Sequence, residues 1–229
     1  MIFVTPVKTE ADAGVVLFAF HETIRNHQEN IRKKHSNLSL KGTAWTAGFP
    51  IRNRRVVVEH SKGRQVEDSI GPDMDIGFRL SKLARPGPIV ASMDLVDLLV
   101  GRRYQPKLKC VFVGWETMKG VFAEKPYPVH WLVHQDGLFL SPWEGSICRF
   151  AAGYSQWQDN KGSNQNIMER INKIRDVLNR DEGLDLFPPY LDKNDMPPHH
   201  QGIHAWLERN ERSELTGQAD FGVEKAEGP

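Results

Sequence analysis

The stretch SIGPDMDIGFRLSKLARPGPIVAS, from Ser69 to Ser92, decides the fold of this 229-residue chain. Asp73 is placed to cap a helix, and Arg85-Pro86-Gly87 is a typical end of one. The apolar positions of this predicted helix, which mostly face inward, are Met74, Ile76, Phe78, Leu80 and Leu83. PIVAS then predicts a short buried strand, and MDLVDLLVG predicts a short helix behind it.

Helices and strands also alternate on either side of this stretch. Toward the N-terminus, Met1 to Thr5 predicts a short strand, and Thr9 to Lys34 predicts a long helix with apolar residues at spacings of three and four. Residues 38–50 predict another strand, and the Arg-rich segment 51–66 contains a VVV core able to pair as one. Toward the C-terminus, KLKCVFVGW and PVHWLVH predict a closing hairpin. This order fits an α+β or α/β protein and excludes a bundle or a sandwich.

The chain changes character after Gln135. Residues 141–157 predict an amphipathic helix, and residues 166–180 predict another. Beyond residue 181, the strings FPPY and MPPHH predict an irregular extension, because proline is excluded from helix interiors and central strands. We therefore expect a folded domain over residues 1–137, a helical extension over 138–182 and an irregular or disordered tail over 183–229.

Composition excludes several classes of protein. Hydrophobic residues make up 39% of the chain and charged residues 26%, which supplies a core and is unlike a disordered chain. A net charge of +1 argues against a protein that works by neutralising nucleic-acid backbone. No apolar run approaches the roughly 20 residues of a membrane helix, and the N-terminus lacks the features of a signal peptide. Two cysteines, Cys110 and Cys148, form no disulfide framework, so we expect a soluble, reduced, cytoplasmic protein.

Three strings in this order resemble the catalytic domain of class III nucleotidyl cyclases, the adenylate and guanylate cyclase homology fold. Ser69 to Ser92 is similar to the family's run of Gly, Asn, Ala-Ala-Arg-Leu and Ala-x-Pro-Gly before a buried strand. VGWETMKGVFAEKPYPVHWL resembles its closing hairpin, and LSLKGTAWTAGFP resembles its strand that runs into an Ala-Gly or Thr-Gly turn. The resemblance covers about residues 1–134. It implies an α+β fold of the ferredoxin-like, class III cyclase type, followed by a C-terminal helical extension.

Departures from the family pattern narrow the resemblance. Asp75 stands where most of these cyclases have Asn, and Gly77-Phe78 replaces Ala-Ala before Arg79. With Trp45 and the helical extension, this variant resembles the pyrimidine cyclases of bacterial Pycsar antiphage systems. The resemblance implies a head-to-tail homodimer that converts UTP or CTP, with UTP favoured, to the 3′,5′-cyclic monophosphate and pyrophosphate. The product would then activate a separate effector protein.

Cyclases of this family use two divalent ions, Mn²⁺ or Mg²⁺, which two Asp residues hold against the α-phosphate. If Met1 to Val4 corresponds to the family strand that precedes the long helix, both Asp positions fall before Met1. Either the start codon has then been placed too late, or the protein is a genuine truncation. A second register puts Thr5 and Thr43 at the Asp positions, where hydroxyls are poor ligands for hard cations, and leaves no room for a later strand and helix. The first register fits better, so no metal ligand is expected within the chain.

Four residues match family positions that contact the substrate. Arg79 aligns with the arginine that contacts the α-phosphate in the transition state, and Asp75 aligns with the residue that orients the ribose. Asp68 lies where purine cyclases keep a base-reading residue, and Lys119 aligns with the lysine that holds the terminal phosphates. A fixed guanidinium suits charge that develops on phosphoryl oxygens. Without the resemblance, all four residue types are ordinary on solvated helices, turns and hairpins.

Other polar groups receive structural interpretations. His199, His200 and His204 lie in a proline-rich tail without carboxylate or cysteine partners, so no metal site is expected there. The basic segment 52–64 is interpreted as a mixed, solvated loop rather than a surface that steers a triphosphate or RNA. No P-loop, nucleophile elbow or dinucleotide fingerprint occurs in the sequence.

Three functions remain open on the sequence. The first is the pyrimidine cyclase. The second is a catalytically silent cyclase-fold protein that binds a nucleotide or a partner, which the absence of the Asp pair favours. The third is an RNA-binding module built on the basic segment, and it is weaker because the net charge is close to zero. We expect no binding to nucleic acid and none to membranes.

Overall fold

The computed structural model describes residues 2–49, 51–60, 64–100, 108–134 and 164–215. The helices are α1 (Glu10–Lys34), α2 (Pro72–Ser81), α3 (Met93–Val100), α4 (Asn164–Glu182) and α5 (Pro198–Leu215). The strands are β1 (Gly42–Ala44), β2 (Arg54–His60), β3 (Arg64–Ile70), β4 (Ile89–Ala91), β5 (Leu108–Thr117) and β6 (Pro126–His134). Single 3₁₀ turns occur at Phe122–Glu124 and Lys193–Asp195. The described chain is thus a mixed α and β structure, compatible with the expected α+β class.

Four of the strands form a mixed sheet in the order β1-β4-β6-β5. β1 runs parallel to β4, with Thr43 opposite Val90, whereas β6 is antiparallel to both β4 and β5. The β5–β6 register shifts between Phe112 and Gly114, and Gly114 has a φ of 156°. Such a bulge increases the local twist of a strand pair. The predicted closing hairpin is confirmed by the long β5–β6 pair.

Helix α1 confirms the prediction over Thr9 to Lys34. The hydroxyl of Thr9 accepts a hydrogen bond from the Asp12 backbone N–H at 3.1 Å, and the Asp12 carboxylate accepts one from the Thr9 N–H at 3.0 Å. This reciprocal capping box fixes where the helix begins. The buried face of the helix carries Ala13, Leu17 and His21.

Helix α2 forms where it was predicted, but the predicted cap is wrong. The N-cap is Gly71, whose φ of 147° favours glycine, and Pro72 follows at the first helical position. Asp73 instead lies within the first turn of the helix and is 5% exposed. It accepts hydrogen bonds from the backbone N–H of Gly48 at 3.0 Å and from the side chains of Arg52 and Asn53 at 2.8 and 2.7 Å. Asp73 therefore ties the residues after β1 to the start of α2.

Helix α4 confirms the helix predicted over residues 166–180, and it packs on α3. Its apolar residues Ile167, Ile171 and Leu178 belong to the same core as the buried residues of α3 and β4. Arg175 is 3% exposed and lies between two acidic residues of α3. Its Nη1 donates to Asp97 at 2.6 Å and its Nη2 donates to Asp94 at 2.8 Å. Helix α4 is thus part of the core and is joined to α3 by buried charges.

Two predictions for the N-terminal half are wrong. Residues 2–8 form neither helix nor strand, although a strand was expected over Met1 to Thr5. The strand expected over residues 38–50 is confined to β1, because the chain turns after it so that the Gly48 carbonyl accepts hydrogen bonds from the Asn53 backbone and side chain, both at 3.0 Å. The VVV segment does form a strand, β2, but it pairs with β3 in a separate two-stranded sheet.

The irregular tail expected beyond residue 181 is also wrong in part, because α5 spans Pro198–Leu215. Proline is compatible with the first position of a helix, since that N–H has no partner within the helix. Residues 216–229, and the helix predicted over 141–157, lie outside the described residues. Among the helices of the described ranges, none is long and apolar enough to cross a membrane.

Candidate functional site

Arg79 and Asp75 lie one turn apart on α2. The Arg79 Nε–H donates to Asp75 Oδ2 at 2.7 Å, and both side chains are partly exposed. The ion pair orients the guanidinium and leaves its two Nη groups outside this hydrogen bond. Two of the four predicted site residues are therefore in direct contact.

The turn between β5 and β6 lies beside this guanidinium. A Cβ added at Gly120 would lie 3.8 Å from Arg79 Nη2, and Gly120 has a φ of 73°. Lys119 precedes it and is exposed, whereas Met118 on its other side is buried. The fold thus brings the turn that contains Lys119 next to the Arg79 guanidinium, although Lys119 and Arg79 are forty residues apart in sequence. We call Arg79, Asp75 and the Lys119-Gly120 turn the Arg79–Lys119 cluster.

The backbone that follows the turn is strained. Phe122, Ala123 and Glu124 have φ values of 51°, 51° and 63°, in the left-handed region. Left-handed backbone costs L-residues roughly 1–2 kcal/mol each. Packing holds the strained turn in place, because the buried Phe122 ring lies 4.9 Å from that of Tyr127 and the Tyr127 hydroxyl accepts from the Met93 N–H at 2.7 Å. Strained backbone of this kind is concentrated at functional sites.

Asp68 does not join the cluster. It lies on β3, opposite Val56 in the separate hairpin, and its Oδ1 accepts a hydrogen bond from the adjacent Ser69 N–H at 2.7 Å. Among the described residues, no hydrogen bond or ion pair joins Asp68 to Arg79. The structure therefore pairs Arg79 with Asp75 and brings the Gly120 backbone, next to Lys119, close to Arg79, whereas Asp68 lies in the separate hairpin.

The carboxylates of α2 do not fit a site for two hard divalent cations. Asp75 is paired with Arg79, and both oxygens of Asp73 accept hydrogen bonds from Arg52, Asn53 and Gly48. Hard cations require several oxygen ligands free to face the ion. Thr43, which the second alignment register offered as a ligand position, lies within β1 opposite Val90.

Sequence analysis missed the role of Arg52. Its Nη2 lies 2.6 Å from Asp73 Oδ1, so it is not simply part of a solvated basic loop. Burial alone would lower the pKa of Arg52, but the hydrogen bond and charge of Asp73 outweigh burial and raise it. Asn53, 1% exposed, completes the network. The only sequence signal was a polar Asp inside an otherwise apolar helix face.

The interpretation of the tail histidines is corrected by a carboxylate that lies next to them. Asp185 Oδ2 is 2.9 Å from His199 Nε2 and 3.9 Å from His200 Nε2. One ligand atom from each of these three residues lies within 4.8 Å of the others. His204 is not in this group. The histidines therefore do have an acidic partner, which proline-rich sequence had concealed.

In the Arg79–Lys119 cluster the Arg79 guanidinium is held by Asp75, and Lys119 is exposed. Two cations of this kind suit a polyanionic ligand such as a chain of phosphates. No protein-family model, curated protein or solved structure matches the chain.

Proposed function

We propose that the protein binds a nucleoside triphosphate and that the Arg79–Lys119 cluster holds its phosphates. The observation that carries the proposal is the approach of the Arg79 guanidinium to Gly120, beside the exposed Lys119. A guanidinium offers paired N–H donors that match phosphoryl oxygens, and an ammonium adds a point charge. Arg79 is supplied by α2 and Lys119 by the β5–β6 turn, and the contact between Gly120 and Arg79 brings these two elements together.

Asp75 would determine the direction in which a nucleotide lies in this site. A carboxylate repels phosphate and accepts hydrogen bonds from hydroxyl groups. A ligand that places its phosphates at Arg79 and Lys119 and its ribose hydroxyls toward Asp75 satisfies all three side chains. Inorganic polyphosphate offers Asp75 no hydroxyl donor beyond its existing contact with Arg79, so the site favours a nucleotide over a bare phosphate chain.

The resemblance to pyrimidine cyclases extends the proposal to an activity. The protein would act in the cytoplasm as a homodimer and convert UTP or CTP to the cyclic monophosphate and pyrophosphate, as a Pycsar-type signal for a separate effector. Asp68 would then read the base, as its aligned position implies. Mn²⁺ or Mg²⁺ would be required, and the carboxylates on α2 do not fit these ions.

A second candidate function is binding without turnover, as a catalytically silent cyclase-fold protein. The engagement of Asp73 by Arg52 and Asn53, and of Asp75 by Arg79, favours it. In this case the phosphate-binding cations are retained, and the bound nucleotide or its effect on a partner protein is the biological output.

Binding and turnover are tested separately on the purified chain. Calorimetry with UTP, CTP, ATP and GTP measures binding. Arg79→Gln and Lys119→Gln should each weaken it about tenfold or more, since each removes a charge-assisted contact. Lys33→Gln, an exposed change at the end of α1, is the matched control and should leave the affinity unchanged.

Mass spectrometry after incubation with Mn²⁺ and each triphosphate then measures turnover. A cyclic pyrimidine product that depends on Arg79 supports the cyclase. Binding that depends on Arg79 and Lys119 without any product supports the silent protein. Affinities that neither variant changes would contradict both functions.

A further inference from the structure

Three side chains lie close together near the start of α5: Asp185, which follows α4, and the two histidines of the first turn of α5, His199 and His200. Asp185 Oδ2 lies 2.9 Å from Nε2 of His199 and 3.9 Å from Nε2 of His200. The nitrogen and oxygen ligands of a tetrahedral zinc ion lie about 2.0–2.2 Å from the metal, which puts them roughly 3.3 Å from one another. Small side-chain rotations would therefore change the observed separations enough for the Asp185 oxygen and the two imidazole nitrogens to bind one ion.

Neighbouring aromatic rings orient the two imidazoles. The Phe187 ring packs 4.9 Å from that of His199 and 5.4 Å from that of His200. The Tyr190 hydroxyl lies 3.3 Å from His200 Nδ1, which directs the opposite nitrogen, Nε2, toward Asp185. A hydrogen bond on the second ring nitrogen is the usual way in which proteins fix a metal-binding imidazole.

The three side chains differ in burial. His200 is 7% exposed, whereas Asp185 and His199 are exposed. Within the described part of the chain, Asp185 is the carboxylate that contacts the pair, while the Arg52 guanidinium and the N-terminal end of α5 act against a cation. These opposing charges reduce the affinity that the three ligands would otherwise have.

We propose that Asp185, His199 and His200 form a binding site for a divalent transition metal, with Zn²⁺ as the preferred ion. Two imidazoles and one carboxylate suit Zn²⁺ better than Mg²⁺ or Ca²⁺, which require mainly oxygen ligands. Three protein ligands leave one tetrahedral position for water, as in catalytic rather than structural zinc sites. Asp185 and His199 are exposed, so this open position faces solvent. The site is separate from the Arg79–Lys119 cluster and does not depend on the proposed nucleotide binding.

The test is titration of the full-length protein with Zn²⁺ in competition with a chromophoric chelator. We expect one ion per chain, and we expect Asp185→Asn and His199→Gln each to weaken binding at least tenfold. Both residues are exposed, so the metal-free variants should keep the wild-type melting temperature. His204→Gln changes another histidine of the same helix that is not among the three ligands, and it should leave the affinity unchanged.

Cobalt gives an independent readout of geometry. Co²⁺ bound to the wild-type protein should show the strong visible absorption of a four-coordinate site, and Asp185→Asn should abolish it. If Asp185→Asn and His199→Gln bind Zn²⁺ as tightly as the wild-type protein, the proposal is overturned. It is also overturned if His204→Gln weakens binding as much as they do, because the ion would then be held by scattered surface histidines.

Discussion

Gly77 lies against the indole ring of Trp45, so closely that a Cβ added at Gly77 would be 2.2 Å from two of its ring atoms. Trp45 directly follows β1, and Gly77 is in the middle of α2. Gly77 was noted as a departure from the cyclase pattern and Trp45 as part of the resemblance to pyrimidine cyclases, and in the structure the two residues form one contact. The missing side chain of Gly77 makes the space that the indole ring occupies, and this contact sets how closely α2 approaches the sheet.

Gly77→Ala is predicted to destabilise the protein. In an unobstructed helix this change stabilises by up to about 1 kcal/mol, but overpacking against a ring costs about 1–3 kcal/mol. We expect the clash to dominate, with a net loss of about 1–2 kcal/mol in urea denaturation. Gly202→Ala in α5 is the control, since a Cβ there meets nothing within 4 Å. It should stabilise slightly, and an equal gain at Gly77 would contradict the contact with Trp45.

Arg175→Met is predicted to cost about 3–5 kcal/mol of unfolding free energy, because Asp97 and Asp94 would lose a buried partner. Arg175→Lys should recover little, since one ammonium cannot reproduce the fork that reaches both carboxylates. Chemical denaturation followed by circular dichroism measures both changes. Arg180→Met, on the same helix, removes a solvent-exposed pair with Asp181 and should have little effect. A similar loss for the two Met variants would show that burial of the Arg175 charge is not what matters.

Stability should fall as the pH is lowered from about 6.5 to about 4, in part because of His130. Burial, with a smaller effect of the Arg170 charge, lowers its pKa from 6.5 to about 4. In this window the unfolded chain binds a proton that the folded chain does not, so protonation favours unfolding by up to about 3 kcal/mol at the acid end.

His130→Phe should reduce this slope, measured as unfolding free energy at pH 7 and pH 4.5. Part of the slope should remain, since burial also lowers the pKa of His21. His27→Phe, an exposed change on α1, is the control and should leave the slope as in the wild-type protein. An unchanged slope in His130→Phe would mean that His130 is not buried as described.

Asp75→Asn is predicted to tighten the binding of inorganic triphosphate roughly two- to fivefold at low salt, because it removes a negative charge next to the guanidinium that we propose to bind phosphate. The gain should disappear at high salt, where exposed charges are screened. Calorimetry at two salt concentrations measures the change, with Glu29→Gln on α1 as the control. Weaker binding instead would mean that Asp75 acts chiefly by holding Arg79 in position.

Local signals in the sequence predicted the helices whose start, end and buried face are determined by residues close together in the chain. The apolar spacing of residues 9–34 predicted α1, and the apolar pattern of residues 166–180 predicted α4. The strand expected over Met1 to Thr5 did not form, because a short apolar run does not form a strand without a partner. Helix α5 was missed because Pro198 was interpreted as a helix breaker, although its position in the first turn is compatible with a helix.

Contacts in the candidate sites could be predicted only where both residues are close together in the sequence. Arg79 and Asp75 are four residues apart on one helix, so their contact follows from helical periodicity. The approach of Arg79 to Gly120 depends on how α2 packs on the β5–β6 turn, and no local pattern encodes it. The same holds for Arg52 with Asp73 and for Asp185 with His199. Such contacts between distant residues decide which polar groups are partners and which face solvent.

The buried contact between Arg175 and Asp97 also has a consequence for synthesis of the chain. The two residues are separated by 78 positions, and the aspartates leave the ribosome first. At the usual speed of translation, roughly 4–16 s pass between the synthesis of the α3 aspartates and the synthesis of Arg175. During that interval the nascent N-terminal half carries unpaired acidic groups on a face that is otherwise apolar, so it cannot reach its final packing alone. Completion of the fold is thereby postponed until α4 has been made, and a ribosome that stalls before residue 175 would release a chain open to chaperones and proteases.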